Sequence, residues 1–390
     1  MKSELAEKLL AIEQELNTVF VERHEAIRGI IISAISRTNI LFLGSAGIGK
    51  SALINQWNKR IVNGRYFSWL LTKFTTPEEI FGPPSIHGLE NEKHYRVLRN
   101  KLADPETTTA FLDETFKGNS SILNSLLTVL NERIFYNDGL PVPLNLVTVA
   151  GASNEIPEAE DGLDAFFDRF LLKFHLKPIQ ESSNFVKMLK SNALNEPPVN
   201  TITLDELKQA QVEREQIIIP EIIYGHLVKL RESLRKEGIS VTDRTFKISL
   251  GVIQAEAWLN GHNEVLSTDL EIFKHICWTK PDQEKNVHGL ILELISPEKN
   301  KIITFYNDCQ DVAKGVYKHK DAVKKQAALV DANKKIREAR TEIGRLKKDM
   351  LYKKQDIAEI EKMEVDLERL TITMAQDILG LNLTEVRTVL

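Results

Sequence analysis

The 390-residue sequence has few cysteines, no long apolar run and no signal peptide, the features that mark disulfide-rich, zinc-binding, membrane-spanning and secreted proteins. Its two cysteines, Cys277 and Cys309, cannot form a disulfide framework or supply a four-ligand zinc site alone. No apolar run approaches the roughly 18–20 residues that cross a bilayer. The amino terminus mixes Glu and Lys with Leu in helical spacing and lacks the apolar segment of a signal peptide. We therefore expect a cytoplasmic protein in a reducing compartment.

Excess charge of either sign is also missing, because 51 Lys+Arg stand against 55 Asp+Glu and give a formal net charge of -4. This balance excludes a chain that holds nucleic acid or membrane by bulk charge, although it allows a local basic patch. What is present is 42% hydrophobic and 27% charged residues, as in a globular protein with a sizeable core. The length favours two or three domains.

The first part of the chain alternates short apolar runs with helical stretches. The apolar runs are 39–43, 66–71, 109–112, 146–150 and 170–174, and the clearest intervening helices are 51–61 and 121–133. Alternating strands and helices predict an α/β fold with a parallel sheet and helices on both faces. Segment 134–144 breaks the alternation, and its Asn137-Asp138-Gly139 predicts a hairpin.

Strand signals end near Pro178, and the following residues read as helices. Thr203 to Glu206 forms a capping box, and further helices are predicted over 243–259 and 268–278. The predicted organisation is an αβ core over 1–178, a small all-α lid over 179–282, and a helical C-terminal extension over 283–390.

The C-terminal extension carries a narrow apolar seam in a highly charged segment. Residues 318–370 include 26 charged side chains in 53 positions, yet apolar residues recur at alternating spacings of three and four from Leu329 to Met350. This is the a/d pattern of a coiled coil or helical hairpin. As one helix the segment would reach about 80 Å. Two interpretations stay open: a helix packed on neighbours in the same chain, or a projecting arm that docks a partner.

The strongest chemical signal follows the first predicted strand. It is the run Gly44, Ser45, Ala46, Gly47, Ile48, Gly49, Lys50 and Ser51, which matches GxxxxGK[ST] between a strand and a helix. In such a P-loop, backbone N–H groups surround phosphate oxygens at the positive end of the helix. Lys50 then reaches the β- and γ-phosphates and the Ser51 hydroxyl holds Mg²⁺. The sequence predicts ATP and Mg²⁺ as cofactors.

A second signal is the acidic pair Asp113-Glu114 after the apolar run 109–112. Asp113 is predicted to position Mg²⁺ through its water shell, and Glu114 to polarise the attacking water as general base. The second acid favours a hydrolysing ATPase over a P-loop kinase, which usually lacks it.

Three further polar residues lie at predicted strand or helix ends. Asn154 would reach the γ-phosphate if its strand lay between the P-loop strand and the Asp113 strand, or it could be an ordinary turn residue. Arg169 could act on phosphate or pair with Asp168. Arg244 opens a lid helix and could meet phosphate or remain a solvated charge. Spacing alone does not separate these alternatives.

Together these residues resemble the AAA+ ATPases, most closely the MoxR group and its RavA-type subfamily. The resemblance covers about residues 15–285. It is carried by Phe81-Gly82-Pro83 after Pro77-Glu78-Glu79, by Leu130-Asn131-Glu132-Arg133, by Ala152-Ser153-Asn154-Glu155-Ile156-Pro157-Glu158, and by Val241-Thr242-Asp243-Arg244 before Ala257-Trp258-Leu259-Asn260-Gly261. The β-rich insertion of the RavA-type C-terminal region is not expected here, because 283–390 reads as purely helical.

The resemblance implies roles for the three ambiguous residues. By it, Asn154 is sensor 1, Arg169 is an arginine finger that points into a neighbouring subunit, and Arg244 is sensor 2, within its own subunit or across the interface. It also implies a ring homo-oligomer, hexameric in such proteins, an insertion around 77–102, and the 134–144 hairpin before sensor 1.

The same resemblance implies that ATP hydrolysis remodels a protein client, with a partner that bears a von Willebrand factor A domain. A nucleic-acid motor is one alternative, but the pore-candidate segments 82–102 and 134–144 mix acids with their lysines and arginines, which makes nucleic acid a less favoured partner. The other alternative is a slow nucleotide-gated scaffold.

Overall fold

The computed structural model describes residues 3–86, 90, 97–157, 163–319, 321–353, 355 and 357–379. Contacts divide the chain into two compact units, one that ends at His288 and one that begins at Gly289. The finer division at 178 and 282 stays a prediction.

The first unit holds the strands and most of the shorter helices. Its strands are β1 (Asn39–Leu43), β2 (Arg65–Leu70), β3 (Thr107–Asp113), β4 (Ile134–Asn137), β5 (Leu140–Pro143), β6 (Thr148–Ser153) and β7 (Leu172–His175). Its helices are α1 (Glu4–Val19), α2 (His24–Ser36), α3 (Lys50–Asn58), α4 (Pro77–Phe81), α5 (Ser120–Glu132), α6 (Asp164–Phe167), α7 (Ser182–Lys190), α8 (Leu204–Glu215), α9 (Glu221–Lys236) and α10 (Asp243–Asn260). Helix α11 (Glu284–Ile295) crosses the boundary between the units.

The main sheet is parallel, as predicted, with the strand order β2-β3-β6-β1-β7. All residues of β1 and β6 are buried, which requires cover on both faces of the sheet. Helix α2 contacts β1, β6 and β7, and α3 contacts β2 and β3. The fourth apolar run forms β6 only from Thr148 onwards, two residues later than predicted. The central position of β6 places its end between those of β1 and β3.

The predicted hairpin is present as β4 and β5. Its two-residue turn is Asp138-Gly139, and both residues have positive φ, 54° and 75°. This is the backbone that a tight hairpin turn demands. Asn137 accepts a 2.7 Å hydrogen bond from the Val97 N–H and donates to the Val97 carbonyl at 3.2 Å. The predicted insertion around 77–102 begins with α4, but residues 87–89 and 91–96 lie outside the described part of the chain.

Helices α7 to α10 follow the sheet, and Thr203 forms the predicted capping box with Glu206. The helix expected over 268–278 is instead a 3₁₀ helix, Ser267–His275. The physical reason is its apolar spacing: Leu270, Phe273 and Ile276 recur every three residues and are buried. Three residues per turn places them directly above one another, whereas an α-helix would spread them over about 120° of its surface.

Helix α2 packs against the sheet through a glycine, which gives a stability prediction. A Cβ on Gly29 would lie 2.2 Å from the buried Phe174 ring, whereas one on Gly225 in α9 would meet no atom within 4 Å. Gly29→Ala should therefore destabilise by about 1–3 kcal/mol through overpacking. Gly225→Ala should stabilise by up to about 1 kcal/mol, since alanine is the better helix former. Urea unfolding of both variants measures the change in the free energy of unfolding, which should be opposite in sign for the two. Equal changes would contradict the packing argument.

The second unit contains the remainder of α11, α12 (Pro297–Tyr317), α13 (Ala322–Tyr352) and α14 (Ala358–Leu379). The apolar seam lies on α13 and is buried against α12 and α14, with Leu329, Ile343 and Met350 at most 1% exposed. Packing within the same chain therefore accounts for the seam. Residues 318–370 do not form one long helix, because α13 ends at Tyr352 and α14 begins at Ala358. None of the described helices is both long and apolar enough to cross a membrane.

Candidate nucleotide site

The P-loop connects β1 to α3, as its sequence predicts. The Gly44 N–H donates to the Ser153 carbonyl of β6 at 3.1 Å, which fixes the start of the loop against the sheet. Gly44 has φ +143°, and a Cβ there would lie 2.4 Å from the Leu176 carbonyl oxygen. Glycine is therefore required at this position by both backbone conformation and space.

Lys50 opens α3, and its side chain is buried in the loop. Its ammonium group donates to the Gly44 carbonyl and, at 2.9 Å, to the Asn154 Oδ1 atom. Burial lowers the pKa of Lys50, while the negative charges of Asp113 and Glu114 oppose that shift. The lysine, the sensor 1 candidate and the two acids thus share one environment.

The acidic pair stands at the end of β3, next to Asn154. Asn154 Nδ2 donates to Glu114 Oε1 at 3.0 Å, and Lys117 Nζ lies 3.1 Å from Glu114 Oε2. Glu114 has φ +49°, and its N–H donates to the Asp113 carboxylate at 3.0 Å. Because β6 lies between β1 and β3, the sheet brings Lys50, Asn154 and Glu114 into one hydrogen-bonded chain.

The donor set at this edge suits Mg²⁺. Ser51 follows Lys50 in the first turn of α3, and Asp113 ends β3, so one hydroxyl and one carboxylate flank the loop. Mg²⁺ commonly keeps several waters and takes its other ligands from phosphate oxygens. Within the described residues, no group of three or more His, Cys, Asp or Glu could form an all-protein metal cage. The residues therefore fit a metal shared with a bound phosphate.

Arg169 and Arg244 lie together, but away from the P-loop. Both approach Asp168 Oδ2, at 3.5 and 3.4 Å, and Arg244 Nη2 donates to Asn131 Oδ1 at 2.7 Å. The Arg169 carbonyl accepts a 2.7 Å hydrogen bond from Asn39, the first residue of β1. The P-loop follows the last residue of that strand, about 13 Å along it at 3.3 Å per residue. The two arginines therefore lie at the amino-terminal ends of the strands, whereas the P-loop lies at their carboxyl-terminal ends.

A cavity of about 270 Å³, which no sequence motif predicted, lies beside the P-loop. It is lined by the turn between α1 and α2, including Glu22, Arg23 and His24, and by the end of β7. Leu176 lines it and also contacts Gly44, so the cavity adjoins the loop. Glu22 accepts hydrogen bonds from the Gln180 and Glu181 N–H groups, which ties this turn to the chain after the sheet. The sequence feature that could have indicated this cavity is the charged run 22–25 between two helices with apolar faces.

The fold and the site together define a class. A five-stranded parallel sheet carries a P-loop after β1, an acidic pair at the end of β3 and an asparagine after the central strand β6, and a helical lid follows. This is the arrangement of an AAA+ nucleotide-binding protein.

Comparison with known proteins identifies the family within that class. Residues 7–216 match the MoxR domain of the MoxR-vWA-beta-propeller ternary systems, and residues 222–291 match an AAA lid domain. Two uncharacterized proteins of Methanocaldococcus jannaschii are 39% and 40% identical over 77% and 70% of this chain, and over 78% and 72% of their own lengths. The crystal structure of an inferred ATPase from Cytophaga hutchinsonii has a TM-score of 0.60 at 17% identity, over 75% of this chain and 95% of that one, and shares the fold. The chain belongs to the MoxR family of AAA+ ATPases.

Proposed function

We propose that this protein hydrolyses ATP with Mg²⁺ and uses the energy to remodel a protein client. The observation that carries the hydrolysis is the hydrogen-bonded chain from Lys50 through Asn154 to Glu114 beside the P-loop. It connects a phosphate-binding cation to a carboxylate through an amide that can sense the γ-phosphate. Each of these three groups suits one part of phosphoryl transfer to water.

In this proposal, the P-loop N–H groups and Lys50 hold the phosphates, while Ser51 and Asp113 hold Mg²⁺, the latter through water. Bound Mg²⁺ would neutralise charge on the β- and γ-phosphates. Glu114 accepts a proton from the attacking water, and Asn154 keeps the Glu114 carboxylate oriented. The cavity beside Gly44, lined by Arg23 and His24, takes the base and ribose.

The proposal requires a ring, for which a hexamer is the expected form. Arg169 and Arg244 lie at the amino-terminal ends of the strands, away from the P-loop of their own subunit, and both contact Asp168. Such a surface suits the phosphates of a neighbouring subunit better than those of its own. We therefore assign both arginines, as arginine finger and sensor 2, to the neighbour's site.

For the partner, we propose a protein with a von Willebrand factor A domain, which the name of the matching MoxR domain supports. We place the chain nearest the RavA-type subfamily on the motifs quoted above. No strand occurs among the described residues of the second unit, so no role of the β-rich RavA-type insertion is carried over.

The function is tested by measuring ATP hydrolysis by the full chain alone, with single-stranded DNA, and with a von Willebrand factor A protein. We expect stimulation by the protein partner and little change with DNA, because the chain has no net positive charge to hold phosphates. Stimulation by DNA alone would favour the nucleic-acid motor. Unstimulated slow turnover in every arm would favour the nucleotide-gated scaffold.

A second test concerns the bundle α12–α14, which we propose docks the partner. A cut at residue 318 would expose Ile302, Cys309 and Val316 of α12, which are now buried. Deleting 297–390 removes all three helices together and avoids a half bundle. We expect basal ATP hydrolysis within a few-fold of the full chain and loss of partner association in a pull-down. Loss of basal turnover would instead show that the bundle stabilises the ATPase.

A further inference from the structure

A small cavity lies beside the two arginines at the amino end of β1. It measures about 60 Å³ and is lined by Arg37, Asn39, Asp168, Arg169 and Arg244, among others. Three arginines and one aspartate therefore line the same small space, with Arg169 and Arg244 in contact with Asp168. In a protein with a formal charge of -4, this is a local excess of positive charge.

More positive charge lies behind this cavity. Burial, and then repulsion from Arg37, lowers the pKa of Arg133 to about 9, which still leaves it charged at neutral pH. Burial also lowers the pKa of Arg214, and Arg37 contributes to that shift. Arg133 donates to the Val129 and Leu130 carbonyls, so its role in ending α5 is explained. Neither hydrogen bond involves the Arg37 side chain.

Arg37 stands at a position that suits glycine. It ends α2 with φ +55° and ψ +35°, the left-handed conformation that usually selects glycine after a helix. A side chain there costs about 1–2 kcal/mol. Among the described residues, the exposed Arg37 side chain makes no hydrogen bond or ion pair. The arginine therefore has a backbone cost and no side-chain partner within the described part of the chain.

We propose that Arg37 is a third phosphate-binding residue of the arginine surface, acting on the nucleotide held by the neighbouring subunit. The ligand class is the polyphosphate of that nucleotide. The proposal rests on the proposed function, since it needs a shared site between subunits. It adds to Arg169 and Arg244 a third phosphate-binding cation that no sequence motif predicted.

The test uses rings mixed from two variants. Glu114→Gln subunits keep the arginine surface but cannot hydrolyse, and Arg169→Ala subunits keep Glu114 but lack the arginine finger. Mixing them should restore turnover where the two surfaces meet. Arg37→Gly is then added to one variant or to the other. Arg37→Gly in the Glu114→Gln subunit should lower the restored rate by about 5- to 50-fold, the effect of one partly solvated charge-assisted hydrogen bond.

The same substitution in the Arg169→Ala subunit is the matched control and should leave the restored rate unchanged. Arg37→Gly should not lower the melting temperature, because glycine relieves the left-handed backbone, and Arg37→Lys should recover part of the rate. Equal loss from either subunit, or no loss from both, overturns the role of Arg37. Absence of any restored turnover in rings shown to be mixed overturns the shared site itself, and this inference with it.

Discussion

Replacing Arg169 with alanine is expected to lower ATP turnover by about 10³-fold or more, the size of the effect of arginine fingers in phosphoryl transfer. The loss should appear in kcat, because the role we propose for Arg169 is to stabilise charge that develops in a neighbour's transition state. Nucleotide affinity should change little, since the P-loop and Lys50, which hold the ground-state phosphates in this proposal, are left intact. Steady-state hydrolysis and equilibrium nucleotide binding measure the two separately. Arg235→Ala, an exposed arginine of α9, is the control for lost charge.

The competing explanation for Arg169 is its ion pair with Asp168, at 3.5 Å. Loss of that pair should cost little stability, because Asp168 keeps Arg244 at 3.4 Å and the Thr245 hydroxyl at 3.2 Å. Parent turnover should rise steeply with protein concentration as a ring forms. Unchanged turnover of Arg169→Ala in intact rings would make the residue a structural partner only.

Replacing Glu114 with glutamine should lower turnover by about 10²-fold or more, in line with general-base contributions. Glutamine keeps the shape and can still accept the Asn154 hydrogen bond, but it cannot take a proton from water. Binding of ATP should stay near normal, because the phosphate ligands are untouched. Rapid-quench hydrolysis with a parallel binding titration checks both parts. Turnover at the parent rate would show that another group is the base.

Lys50→Ala is the contrasting variant for this prediction. Its ammonium group is the buried cation of the loop, and it also orients Asn154. Its removal should weaken nucleotide binding itself, because the β- and γ-phosphates lose their positive partner. Binding unchanged in Lys50→Ala would contradict the P-loop assignment, whatever Glu114→Gln shows.

The sequence by itself determined the features that depend on local pattern. The P-loop, the acidic pair and the hairpin each consist of contiguous residues whose types fix a backbone conformation or a chemistry. Apolar runs separated by helices were enough to predict the parallel sheet, because buried strands in such sheets are nearly continuous in apolar residues. The apolar seam of the C-terminal region was likewise visible, since its spacing follows the turn of a helix.

Tertiary structure alone decided which separate segments meet. The strand order places Asn154 between Lys50 and Glu114, and no spacing along the chain encodes that order. The fold also brings three arginines that are distant in sequence to one cavity at the amino-terminal ends of the strands, away from the P-loop. They are Arg37, Arg169 and Arg244, and neighbours in this list are more than 70 residues apart. The sequence left open whether the apolar seam of α13 packs on its own chain or on another protein. The structure shows that α12 and α14 bury it. The physical reason is common to all three: local preferences fix elements, whereas burial of their surfaces against one another fixes neighbours.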